Sequence, residues 1–215
     1  MSFHPNHDDV NALKLTLASI SSVALDEKKL VKRLKARDEK AYPEFISNYE
    51  DKVYGLAFHL LRNQEDAEDI GQEVFLSAWQ SIDRFRGDCK VTTWLYTITK
   101  NLCFNKLRKL GKLSESPFPV DEDLETRTNE VLGVGTPEGD PKDALEKKEI
   151  KEQLWARIDQ LKPRYRAAVI LIYKEELTYK EASIVLGSPV GTLKSLVSRA
   201  MEKLRNDEEI SQWGK

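Results

Sequence analysis

The stretch Thr178–Arg205, TYKEASIVLGSPVGTLKSLVSRAMEKLR, decides how the rest of the chain is read. Thr178 is followed three residues later by Glu181, a pairing in which each side chain can satisfy a backbone N–H at a helix start. Ala182 and Leu186 then fall on one helical face. Gly187 ends that helix, Ser188 can cap the next one, and Pro189 can occupy its first turn, where a missing N–H leaves nothing unpaired. Along the second helix Leu193, Val197, Ala200 and Leu204 recur at three- and four-residue steps and predict a buried stripe. Thr192, Ser195, Ser198 and Arg199 point away from it, flanked by Lys194 and Lys203. Short hydroxyl side chains let a helix sit deep in the major groove of DNA, and the cations reach base edges or phosphates. A helical hairpin can equally be a packing unit with a solvated polar face, so the segment predicts helix-turn-helix and leaves its use open.

Composition narrows the choice. The chain has 215 residues, 33% of them charged and 40% hydrophobic, which suits a helix-rich soluble protein of one large or two small domains. The longest apolar run, Ala167–Tyr173, is too short to span a bilayer, and the N-terminal residues lack the pattern of an export signal. No membrane insertion and a cytoplasmic location are expected. Cys89 and Cys103 do not make a disulfide framework, and His4, His7 and His59 have no metal-ligand spacing. The two thiols are either ordinary or a redox pair. No phosphate-binding glycine loop, nucleophile elbow or metal cluster appears, which argues against an enzyme, a cofactor or a small-molecule substrate.

A net charge of −2 conceals blocks of opposite sign. Residues 50–73 hold seven acids and two bases, whereas 84–110 hold seven bases and one acid. Residues 111–143 hold nine acids and three bases, and 155–206 ten bases and five acids. Helical periodicity runs through residues 26–110, with Asn63 a plausible cap and a loop over Phe85–Val91 before a helix opening at Thr92. Residues 111–140 have the proline, glycine and acid content of a flexible linker. The expected fold is therefore all-α: a helical domain over 26–110, an acidic linker over 111–140 and a second helical domain over 141–208. A poorly ordered extension over 1–25 and a tail over 209–215 complete the chain.

Cations alternate with aromatic rings from Arg84 to Arg108, chemistry suited to gripping single-stranded DNA through phosphate contacts and base stacking. Arg86, Lys90, Trp94, Tyr96 and Lys100 belong to this run. Trp94 shares a face with Ile98 and Leu102, so it serves either core or base. Thr93 and Asn101 can read a base edge or can cap and face solvent. Just ahead lies a helix too acidic for DNA, carrying Asp66, Asp69, Gln72 and Glu73. It fits a basic protein surface, or its acids simply complement the helix dipole.

In this order the constellations resemble the extracytoplasmic-function sigma factors of the bacterial sigma-70 family, over about residues 26–206. DAEDIGQEVFLSAW resembles the core-polymerase docking segment, FRGDCKVTTWLYTITKNLCFNKLRK the promoter-melting segment, and LKPRYRAAVILIYKEELTYKEASIVLGSPVGTLKSLVSRAMEKLR the minus-35 reader. The resemblance implies that Asp66, Asp69, Gln72 and Glu73 dock on the clamp of core RNA polymerase, with Phe75 packed behind them. It further implies that the loop from Arg86 through Asp88 to Val91, with Asn101, captures an extruded minus-10 base. Lys90, Thr93, Trp94, Tyr96 and Lys100 would line the same strand. Thr192, Lys194, Ser195, Ser198, Arg199 and Lys203 would read the minus-35 element. Promoter DNA, core RNA polymerase and an anti-sigma factor are the implied partners.

The chain departs from the family at Ile172, Leu196 and Met201, where arginine is frequent. Each lost phosphate contact would lower the salt slope of minus-35 binding by about one unit. A free-standing repressor or activator that dimerises through the N-terminal helices is the competing reading; it explains the hairpin but neither the acidic helix nor the basic aromatic run.

Overall fold

The computed structural model describes residues 26–113 and 153–206. The expected extension over 1–25, most of the acidic linker, the first residues of the second domain and the tail lie outside the described residues. Helix α1 covers residues 26–35, α2 Ala41–Leu61, α3 Gln64–Ser81 and α4 Val91–Lys109, with a 3-10 turn Ile82–Arg84 leading into the loop before α4. The second domain contains α5 over residues 153–158 and α6 over Pro163–Val169, which continues as a π-helical turn Ile170–Lys174. It ends with α7 Tyr179–Leu186 and α8 Val190–Arg205. No strand occurs among the described residues.

The first domain closes around Phe45, Leu56, Leu60, Ile82, Leu95 and Phe104, all less than 3% exposed. Phe45 meets Phe75 edge-on at 5.5 Å, which binds α2 to α3 and places Phe75 beneath the acidic face of α3. Asn63 opens α3 as its sequence position suggests: its Oδ1 accepts the Asp66 N–H at 2.8 Å. The turn between α2 and α3 is tight because Arg62 adopts φ 60°, a left-handed conformation that costs a non-glycine residue about 1 kcal/mol.

In the second domain Leu193, Val197, Ala200 and Leu204 form the anticipated stripe on α8, packed against α6. Thr178 and Glu181 form the full capping box: Thr178 Oγ1 accepts the Glu181 N–H at 3.2 Å, and Glu181 Oε2 accepts the Thr178 N–H at 2.9 Å. Gly187 ends α7 at φ 65°, where a side chain would be strained. Two boundaries differ from the sequence reading. Ser188 does not cap α8; it is buried and its N–H donates to Ser183 O at 3.2 Å, completing the end of α7, while Pro189 stands just outside α8. Helix α4 opens at Val91 rather than Thr92, with Lys90 at the cap position and no side-chain cap.

The two domains touch. Helix α7 lies against α4 and α6 approaches α2, so Tyr96 and Lys100 of α4 face the second domain, while Arg86, Asp88, Lys90 and Asn101 stay exposed. Among the described residues no helix is long and apolar enough to cross a membrane.

Candidate nucleic-acid interface

Helix α8 presents Lys194, Ser198, Arg199 and Lys203 to solvent, with Thr192 and Ser195 half-buried beside them. Ser195 Oγ donates back to Gly191 O at 3.1 Å, so its hydroxyl is turned into the helix. Lys194 Nζ sits 5.9 Å from the Tyr179 ring and Lys203 Nζ 5.8 Å from the Tyr165 ring. These aromatic faces steady both cations without neutralising them. Leu196 is buried, and Ile172 and Met201 pack partly buried against the core. Apolar residues therefore stand at these positions because the small domain uses them as core, which periodicity at Leu193 and Val197 alone did not indicate.

On α4, Thr93, Trp94, Tyr96, Lys100 and Asn101 share one side of the helix at three- and four-residue spacing, and Lys90 at the cap continues it. Their surroundings differ sharply. Asn101 is exposed, whereas Thr93 and Tyr96 are buried. Thr93 thus neither caps nor faces solvent, as its two simplest sequence readings had it, and its hydroxyl makes no hydrogen bond. Trp94 is half-buried with its ring 5.0 Å from that of Phe85, so one ring anchors the loop and the other edges the surface. Arg86 and Asp88 pair with each other at 2.9 Å at the exposed tip of that loop. Lys35 holds the loop's base by donating to Phe85 O at 2.7 Å.

Burial and charge set the ionisation of this face. The Lys100 ammonium titrates below its usual range because burial removes its water, with Arg108 adding repulsion. Burial raises the Tyr96 hydroxyl, and Glu175, which accepts its proton in a hydrogen bond, raises it further. Cys103 is pushed up to about 12 by burial, and Cys89 is raised by burial and then by Asp88. Both thiols are therefore held protonated, the opposite of what a redox-sensing thiolate requires.

Helix α3 brings Asp69, Gln72 and Glu73 together on an exposed face. Asp66 is set apart, since Lys106 of α4 binds its carboxylate within the domain. Beside Gln72 runs a groove of about 610 Å³ between α2 and α3, floored by Tyr42, Ile46, Tyr54 and Phe75 and rimmed by Glu50, Asp51 and Glu68. Leu76 stands at its edge, 56% exposed. Sequence reasoning missed this groove; Leu76, an apolar residue off the buried stripe Ala67, Ile70, Val74 and Ala78, was the one available signal. An apolar trough with an acidic rim suits a helix that is apolar on one side and basic at its margins.

Residues 45–113 match the family model of sigma-70 region 2, and residues 151–204 that of sigma-70 region 4. The chain is 33% identical to the ECF RNA polymerase sigma factor SigW of Bacillus subtilis over 183 residues, covering 83% of this chain and 94% of that one. It is 31% identical to the RNA polymerase sigma-H factor of Pseudomonas aeruginosa, covering 83% and 91% respectively. Among solved structures it is similar to the sigma factor RpoE of Bartonella quintana, crystallised with the anti-sigma factor NepR. There the TM-score is 0.53 at 25% identity, over 77% of this chain and 95% of that one. CnrH, solved with the cytosolic domain of CnrY, shares the fold at TM-score 0.55 and 19% identity, over 83% of this chain and 94% of that one.

Proposed function

The chain belongs to the extracytoplasmic-function sigma factors, and from that premise we propose how its surfaces divide the work of promoter-specific initiation. It binds core RNA polymerase, directs it to promoters and performs no covalent chemistry itself. Asp69, Gln72 and Glu73, together with the groove beside them, take the polymerase. Asp66 supports that face through Lys106. The α8 face of Thr192, Lys194, Ser195, Ser198, Arg199 and Lys203 reads duplex at minus 35. The α4 face, with Arg86 and Asp88 from its loop, holds the melted minus-10 strand. Unstacking a base costs a few kcal/mol, and stacking on Trp94 or Tyr96 with phosphates on Lys90 and Lys100 offsets it on one strand only. The work is done on DNA and polymerase, which places the protein in the cytoplasm, and the relatives solved with anti-sigma proteins support such a partner here as well.

The observation that carries this reading is an exposed acidic face bordering an open apolar groove, in the same domain as a cationic aromatic helix. Its test is recruitment. Reversing Asp69→Lys and Glu73→Lys should lower co-purification with core polymerase at least about tenfold. Unchanged recruitment would refute the docking assignment.

A further inference from the structure

Three polar side chains of α4 and its cap, Lys90, Tyr96 and Lys100, meet acceptors supplied by the second domain. Lys90 Nζ lies 2.9 Å from Glu181 Oε1, Tyr96 donates its hydroxyl proton to Glu175, and Lys100 Nζ reaches Leu186 O, at the end of α7, at 3.5 Å. A second set of contacts fixes the same arrangement at the end of α2. Arg62 and His59 both meet the carboxylate of Asp159, whose side chain is only 6% exposed. Arg166 donates to Leu60 O at 2.7 Å and to Asp159 O at 2.6 Å, placing a buried cation at the negative end of α2. Contacts of this kind bury charges only in mutual register, which distinguishes a built interface from a chance approach.

The chemistry of the first set is that of nucleic acid. A carboxylate on Lys90 does what a phosphate would do, and an acceptor on the Tyr96 hydroxyl does what a sugar or base oxygen would do. The Thr93 hydroxyl, buried on the same helix, is left without a hydrogen-bond partner in the closed arrangement. Meanwhile Lys194, Ser198, Arg199 and Lys203 of α8 remain exposed. We propose that Glu175, Glu181 and α7 form an intramolecular clasp that imitates nucleic acid on α4, shutting the free chain to single-stranded DNA while leaving α8 open to duplex. The inference rests on reading α4 as the single-strand binder.

The test uses the full chain carrying Glu175→Ala and Glu181→Gln. Glutamine keeps an acceptor for the Thr178 N–H, so the capping box survives while the charge on Lys90 is lost. Small-angle scattering gives the radius of gyration, and fluorescence anisotropy follows binding of a random single strand of about 12 nucleotides and of the corresponding duplex. The clasp predicts a larger radius and at least about fivefold tighter single-strand binding, with duplex affinity unchanged. The wild-type chain should expand likewise on raising salt to about 0.5 M, which tests the clasp without any substitution. A radius that stays constant under both treatments overturns the clasp and leaves the reading of α4 standing. An equal gain for duplex and single strand also overturns it, because lost negative charge alone would produce that. An expanded chain that still ignores single strands overturns the clasp and the reading of α4 together.

Discussion

Helices α4 and α8 both carry cations and hydroxyls on one side, yet the side of α8 lies open and that of α4 is partly covered by α7. The difference is in what lies between the charges. On α8 the cations are separated by Thr192, Ser195 and Ser198, which gain little by leaving water. On α4 they are separated by Trp94 and Tyr96, large rings that each gain roughly 2 kcal/mol or more on burial. On the reading proposed above, the face that stacks bases is therefore also a face that attracts protein, whereas the face that lies in a groove is not. The second domain meets this face with α7, with Glu175 on the Tyr96 hydroxyl and with Glu181 on Lys90.

The strongest challenge to that contrast is Arg166→Met. The substitution preserves bulk but leaves the carbonyls of Leu60 and Asp159 without their charged donor. We expect a loss of about 3 kcal/mol in chemical denaturation, accompanied by faster hydrogen exchange along α4. Loss of stability with α4 still protected would mean that Arg166 supports only its own domain. Arg199→Ala probes the open side. It should cost about 2 kcal/mol of affinity for promoter duplex and reduce the salt slope by about one unit, with α4 exchange unaltered.

The smallest expected effect comes from acid. Lys90 chiefly, and then Thr178, hold the Glu181 carboxyl at about 2, below its usual 4.5. Because the folded value is the lower one, the stabilisation is complete above the ordinary value and fades as pH falls through that interval. Acidifying from about 5 to about 3 should therefore loosen α7 from α4, seen as line shifts of α4 amides in NMR, and Glu181→Gln should abolish that component of the response.

Local rules made much of the fold legible. The Asn63 cap and the Thr178 capping box are complete within four residues of chain, and Gly187 stops α7 because no other residue adopts its φ so cheaply. Ser188 was misread because one residue had two eligible helices, and the end of α7 claimed its N–H before the start of α8 could use its side chain. Leu196 counted as a missing contact when only the outer face was considered, though the stripe needed its bulk. The groove between α2 and α3 requires two helices at a known angle, and the pairs Tyr96–Glu175 and Arg62–Asp159 join residues far apart in sequence, so no periodicity announces them. Arg166 looked like one more cation in a basic block; only its burial distinguishes it.

The buried Tyr96 ring also bears on life outside the transcription complex. A cell is full of unpaired strands, at replication forks and along nascent messages, and a permanently bared strip of rings and lysines would adhere to them without regard to sequence. If the proposed clasp folds that strip inward, the unassembled pool is spared from such decoys and stays available to the polymerase.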